Sequence, residues 1–190
     1  KETSKILVVS SDFPAITRPW IAYSKRHNCK IIFIDEIPNE SLTDTIIKNI
    51  DSETAIVAIS LVQFSTGTQI NQYKLRKATK NVGAKLILDV TQAAGAIPID
   101  TDSYGADVLV CSGYKWLGGH GGVGLAAISR EVLKKDPIMA GWMGASNPFD
   151  MQPKKLLYTE DARKFTQSTM SYISIIGLET AFKEIINLNM

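Results

Sequence analysis

The sequence predicts an α/β domain of three layers, helices on both faces of a mostly parallel, mixed sheet. Short apolar runs rich in β-branched residues recur along the chain, and stretches of helical length alternate with them. The runs are apolar throughout rather than at every second position. A strand with no polar face is covered on both sides, which is the condition of a parallel sheet between helices. With 190 residues, 45% hydrophobic and 21% charged, the chain has ordinary globular composition and enough length for one well-buried core.

Taken in order, KILVVS (5–10) is the first strand and RPWIAYSKRHN (18–28) the first helix. KIIFID (30–35) and ESLTDTIIKNI (40–50) form the next strand and helix, followed by TAIVAIS (54–60), INQYKLRKATKNVG (70–83) and KLILD (85–89). DVLVCS (107–112) and VGLAAIS (123–129) add two strands, and SYISIIGLETAFKEIINL (171–188) is an apolar-faced helix. Between Pro137 and Lys164 neither period persists, and so long a segment without one reads as a functional loop. Ligands of open α/β sheets gather at the carboxyl ends of the strands. That rule singles out Ser10–Phe13, Ser60–Gly67, Asp89–Gln92 and Ser112–Lys115.

Several function classes lose their basis at once. A net charge of +2 makes no case for nucleic acid or an anionic membrane. No apolar run reaches membrane-spanning length, and no signal peptide is visible. Cys29 and Cys111 lie far apart without metal-ligand spacing, so no metal is expected and a reducing cytoplasm is the default compartment. The chain starts at Lys1 and runs almost directly into a strand, so it is expected to be a piece of a longer protein.

The glycine-rich stretch SGYKWLGGHGGVG (112–124) matches G-x-G-x-x-G at Gly119, Gly121 and Gly124. A dinucleotide fingerprint needs a helix directly after its glycines and a ribose-binding acid about 20 residues on. Here a strand follows and the next acids are Glu131 and Asp136, so the nicotinamide reading is disfavoured; no G-K-[ST] makes a phosphate loop either. The glycines permit a tight turn, but a turn alone does not account for Lys115 at its entrance. Asp89 ends one strand and Ser112 another, with Lys115 three residues on and Phe13 at the same rim. An amine for a Schiff base, an acid for a pyridine nitrogen, hydroxyl donors for a phosphate and a flat ring are what a pyridoxal-phosphate site requires.

D-x-x-Q at Asp89–Gln92, G-A-D at 105–107 and S-G-Y-K-W-L-x-G-x-x-G-x-G at 112–124 resemble the class V aminotransferase family of fold type I pyridoxal-phosphate enzymes. That family includes cysteine desulfurases, kynureninases and isopenicillin-epimerase-like proteins. SSDFPAITRPW (10–20), SLVQFSTGT (60–68) and YTEDARKFTQST (158–169) resemble further segments of the family in its own order. The resemblance implies that Lys115 carries pyridoxal 5′-phosphate as a Schiff base and moves the α-proton. It implies that Asp89 pairs with the ring nitrogen, Gln92 donates to the phenolic oxygen, Phe13 stacks on one ring face and Thr91 covers the other. Ser112 and Tyr114 would donate to the phosphate, and Thr169 would reach the phosphate of a partner subunit, implying a homodimer.

On this reading residues 1–136 are the large cofactor-binding domain, 137–168 a long loop region near the active site, and 169–190 a helix leading towards a small domain. The expected function is that of a PLP-dependent enzyme acting on a small-molecule amino-acid substrate, by transamination, epimerisation or C–S/Cβ cleavage. The competing expectation is a truncated, non-catalytic descendant that keeps the fold for binding. Phe64 stands where desulfurases and transaminases often have asparagine, TQST replaces E-x-G-T, and neither cysteine is placed as a desulfurase nucleophile.

Overall fold

The computed structural model describes residues 4–188. Its elements are β1 (Ser4–Val9), α1 (Pro14–Ser24), β2 (Cys29–Ile34), α2 (Leu42–Lys48), β3 (Thr54–Ser60), α3 (Gln72–Val82), β4 (Lys85–Asp89), α4 (Thr101–Tyr104), β5 (Val108–Ser112), β6 (Gly124–Ile128), α5 (Arg130–Leu133) and α6 (Tyr172–Asn187). They build one sheet in the order β2-β1-β3-β4-β5-β6. Its first five strands run parallel, and β6 runs antiparallel to β5. The mixed, mostly parallel sheet is the one expected. After β1 the chain adds β2 on one side and β3 on the other, so the order reverses between β1 and β3. A crevice opens at the carboxyl ends of such strands.

Alternation along each strand divides the core between the two faces. Leu7 and Val9 of β1, Val57 and Ile59 of β3, and Leu86 and Leu88 of β4 pack with Leu42 and Ile46 of α2, Leu75 of α3 and Leu178 of α6. Ile6, Val8 and Ala58 face the opposite way, against Trp20 of α1. The larger cluster therefore lies under α2, α3 and α6, and α1 covers the other face.

The differences from expectation lie at element ends and in short helical elements. α1 begins at Pro14 rather than Arg18, because a proline in the first turn gives up an N–H that has no helical partner there. It ends at Ser24, and the Tyr23 and His27 rings stack with centroids 4.0 Å apart across the following turn. The four-residue α4, absent from the sequence reading, is nucleated by Asp100, whose side chain accepts from the amides of Asp102 and Ser103. The segment expected as a loop holds the 3-10 turns Trp142–Gly144, Pro148–Asp150 and Ala162–Phe165 and one antiparallel bridge, Ala145 to Tyr158. Among the described residues no helix is long and apolar enough to cross a membrane.

Of the glycines after Lys115, Gly118 and Gly122 turn the chain at φ +67° and +86°, while Gly119 serves packing. A Cβ on Gly119 would lie 2.7 Å from Leu178 Cδ1 and 2.8 Å from the Gly113 carbonyl oxygen, so glycine there lets α6 seat on the turn. Ser174 of α6 donates to the Gly121 carbonyl at 3.0 Å and ties the two together.

Candidate active site

Each strand end delivers part of one cleft. β4 ends in Asp89, with Thr91 and Gln92 in the turn that follows; β5 ends in Ser112, with Tyr114 and Lys115 just beyond. The residue before α1, Phe13, supplies an aromatic face. All seven line the same cleft, together with Ala15, Ser60 and Phe64. Thr169 is exposed, two residues before the cap of α6, and takes no part in it. His120, which the sequence left without a role, is exposed in the glycine turn, its ring nitrogen 3.2 Å from the Gly121 carbonyl oxygen.

Local bonding fixes these side chains unevenly. Asp89 Oδ1 accepts the Thr91 amide at 2.7 Å, an Asx turn that locks the carboxylate at the strand end. Among the described residues its other oxygen accepts nothing. Thr91 Oγ1 accepts the Ser112 amide at 3.0 Å, joining the tips of β4 and β5. The Lys115 ammonium lies over the Phe13 ring, 5.6 Å from its centroid, within the range of a cation–π contact. Phe64 meets the same ring edge-on, centroids 5.4 Å apart at 80°. The Gln92 amide oxygen accepts the Trp116 indole N–H at 3.1 Å.

One contributor escaped the sequence reading. Asp12, 5% exposed, accepts the Phe13 amide at 2.7 Å, the Ser60 amide at 2.7 Å and the Ser60 hydroxyl at 2.6 Å. A carboxylate buried without a cation is tolerated only when fully hydrogen-bonded. This one bridges β1 and β3 where the strand order reverses, and so holds Phe13 and Ser60 at the cleft. The signal available was its place, beside Phe13 in the Ser10–Phe13 stretch at the carboxyl end of the first strand.

Cys111 lies on β5 just before Ser112. Burial, reinforced by the Asp89 charge, pushes its thiol up to about 11, so it is neutral and a poor nucleophile at physiological pH. A roomier cavity of about 500 Å³ lies between β4–β6 and α6, but its walls are mostly apolar side chains such as Val90, Leu125 and Phe182, and the titratable group on them is the neutral Cys111 thiol.

The donor set fits the cofactor suggested by the sequence: a primary amine, a carboxylate with one free oxygen, a flat aromatic face and two hydroxyls meet in one cleft. Comparison with known proteins agrees at the level of family. The uncharacterized aminotransferase YcbU of Bacillus subtilis is 27% identical over 177 residues, 93% of this chain and 46% of that protein. A kynureninase of Deinococcus radiodurans is 26% identical over 140 residues, 73% of this chain and 34% of its own length. Among solved structures, a mutant of the protein C-DES with glycine covalently linked to its PLP cofactor shares the fold with a TM-score of 0.88 at 20% identity, over 98% of this chain and 50% of that one. The chain thus spans half or less of the length of these relatives. The family model described as Aminotransferase class-V matches residues 1–190, and the chain belongs to that family.

Proposed function

We propose that this chain carries the cofactor site of a pyridoxal-phosphate enzyme acting on an amino acid, with Lys115 as covalent anchor and proton carrier and Asp89 as partner of the ring nitrogen. One observation carries the reading: the Lys115 amine, the half-committed Asp89 carboxylate and the Phe13 face converge in one cleft at the carboxyl end of the sheet. Pyridoxal 5′-phosphate supplies an electron sink for a carbanion at the substrate Cα.

The chain's own residues do the rest. Asp89, held by the Thr91 amide, keeps a free oxygen for a protonated ring nitrogen. Phe13, fixed through Asp12, offers its face to the ring, and Thr91 bounds the opposite side. Gln92 offers N–H donors to the phenolic oxygen, and the Ser112 and Tyr114 hydroxyls bind phosphate. Lys115 Nζ takes and returns the α-proton as general base and acid. Thr169, exposed beside α6, suits a homodimer in which it reaches a partner's phosphate. Residues 1–136 then form the cofactor core, with 137–168 beside the site and 169–190 leading into a further domain. The free Cys29 and Cys111 suit a reducing cytoplasm.

The reaction is transamination, epimerisation or C–S/Cβ cleavage; an aminotransferase, a kynureninase and a probable cysteine desulfurase among the relatives support the first and the last of these. An absorbance scan of the full native protein with pyridoxal 5′-phosphate tests the reading. A visible band that borohydride abolishes and Lys115→Ala prevents is expected; a band that survives Lys115→Ala overturns it.

A further inference from the structure

Trp116 directly follows the anchor lysine and took no role from the sequence. The residue is 58% exposed. The one polar atom of its indole, Nε1, donates to Gln92 Oε1 at 3.1 Å across 24 residues of sequence. The same turn meets the Trp116 backbone as well. Gly95 has φ +93°, and a Cβ there would lie 2.4 Å from the Trp116 carbonyl oxygen. Glycine thus lets the 92–95 turn close onto Trp116, bringing the amide within reach of the indole.

The chemistry of this pair has one allowed sense. A glutamine amide has a donor end and an acceptor end of nearly equal shape, and a half-turn about its last torsion exchanges them. An indole N–H is a donor only, so it accepts no partner but the amide oxygen. The Gln92 NH₂ is thereby turned away from Trp116, and among the described residues it donates to nothing. Gln92 lines the cleft. We propose that Trp116 is a positioning residue that, by holding the amide oxygen of Gln92, commits that side chain to present N–H donors rather than an acceptor to the bound ligand.

What Gln92 faces rests on the reading of the cleft given above; the orientation of the amide does not. A ligand oxygen opposite Gln92 is met by donors, which favour its anionic over its protonated form. Without the indole N–H the amide is free to turn and accept from a protonated oxygen instead. The protonation of a phenolic ring oxygen in the cleft is then set in part by a residue that never touches it.

Trp116→Phe keeps an aromatic ring and removes the donor. In the protein without cofactor, the Trp116 indole N–H resonance should move upfield and exchange faster with solvent when Gln92 is replaced by leucine. In the pyridoxal-phosphate-loaded protein, the pH midpoint of the visible spectrum should rise by roughly half a pH unit in Trp116→Phe. That change should vanish in a Gln92→Ala background, because two residues acting through one bond are not additive. An indole resonance indifferent to Gln92 overturns the proposal whether or not the cofactor binds. A spectral midpoint unmoved by Trp116→Phe, or moved equally with and without Gln92, overturns it as well. A wild-type protein that takes up no cofactor would instead remove the reading of the cleft, leaving the resonance measurement to decide the orientation of the amide.

Discussion

Two aspartates at opposite ends of neighbouring strands in the same sheet are bonded in opposite ways. Asp107, just before β5, is buried and uses its acceptors fully: Arg76 at 2.9 Å, Lys85 at 2.8 Å and the buried Leu86 amide at 3.0 Å. Asp89, the last residue of β4, accepts one amide and leaves its second oxygen free in a cleft. Burial alone would raise the Asp107 carboxyl, but the Lys85 hydrogen bond, the Leu86 amide and the charges of Lys85 and Arg76 outweigh it and hold it below the ordinary carboxylate value. The amino end of the sheet is thus closed by satisfied charge, whereas the carboxyl end keeps polar atoms unspent. Asp12 shows that closure also operates at the functional end, since its carboxylate is occupied in fixing the cleft wall.

The contrast breaks first on function. Asp89→Asn should lower turnover of the native enzyme about 10²–10³-fold, as expected for loss of an electrostatic partner to developing charge, while its thermal midpoint stays within a degree or so of wild type. A melting loss as large as the loss of activity is severe would make Asp89 a structural acid like Asp107. Asp107→Ala should do the reverse. It strands the Leu86 amide in the core and should cost about 1–3 kcal/mol, seen as a fall of several degrees in Tm with kcat of the folded protein unchanged.

Acid unfolding sharpens the same comparison. The Asp107 pKa is depressed on folding, so its contribution is complete above the unfolded value, about 3.9, and is lost as pH falls through the lower folded value. Stability of the wild type should therefore decline across that acid range more steeply than that of Asp107→Asn; parallel curves would sink the assignment. The smallest effect concerns Cys111. Its neutral, buried thiol should remain unlabelled by iodoacetamide at neutral pH in the folded protein and react only after unfolding.

The strands were legible as unbroken apolar runs, which burial on both faces explains for β1 and β3 although β2 and β6 are partly exposed. Asp89 and Ser112 were legible because they end such runs, and Lys115 because it follows one closely. The start of α1 was not, since Pro14 is acceptable inside a first turn and also looks like a breaker. α4 is too short to show a period, and its signal is the Asp100 cap alone. Asp12 reads in a sequence like any solvated acid, because nothing local says that Ser60, 48 residues away, will bond to it. The pairing of Trp116 with Gln92 likewise depends on a close approach at Gly95 that no local pattern encodes.

The most direct test of the central claim is peptide mass mapping of the native protein after loading with pyridoxal 5′-phosphate and reduction with borohydride. A phosphopyridoxyl mass on the peptide containing Lys115, and on no other lysine at equal stoichiometry, is the predicted result. Labelling spread over the surface lysines, with the Lys115 peptide unmodified, would contradict the account.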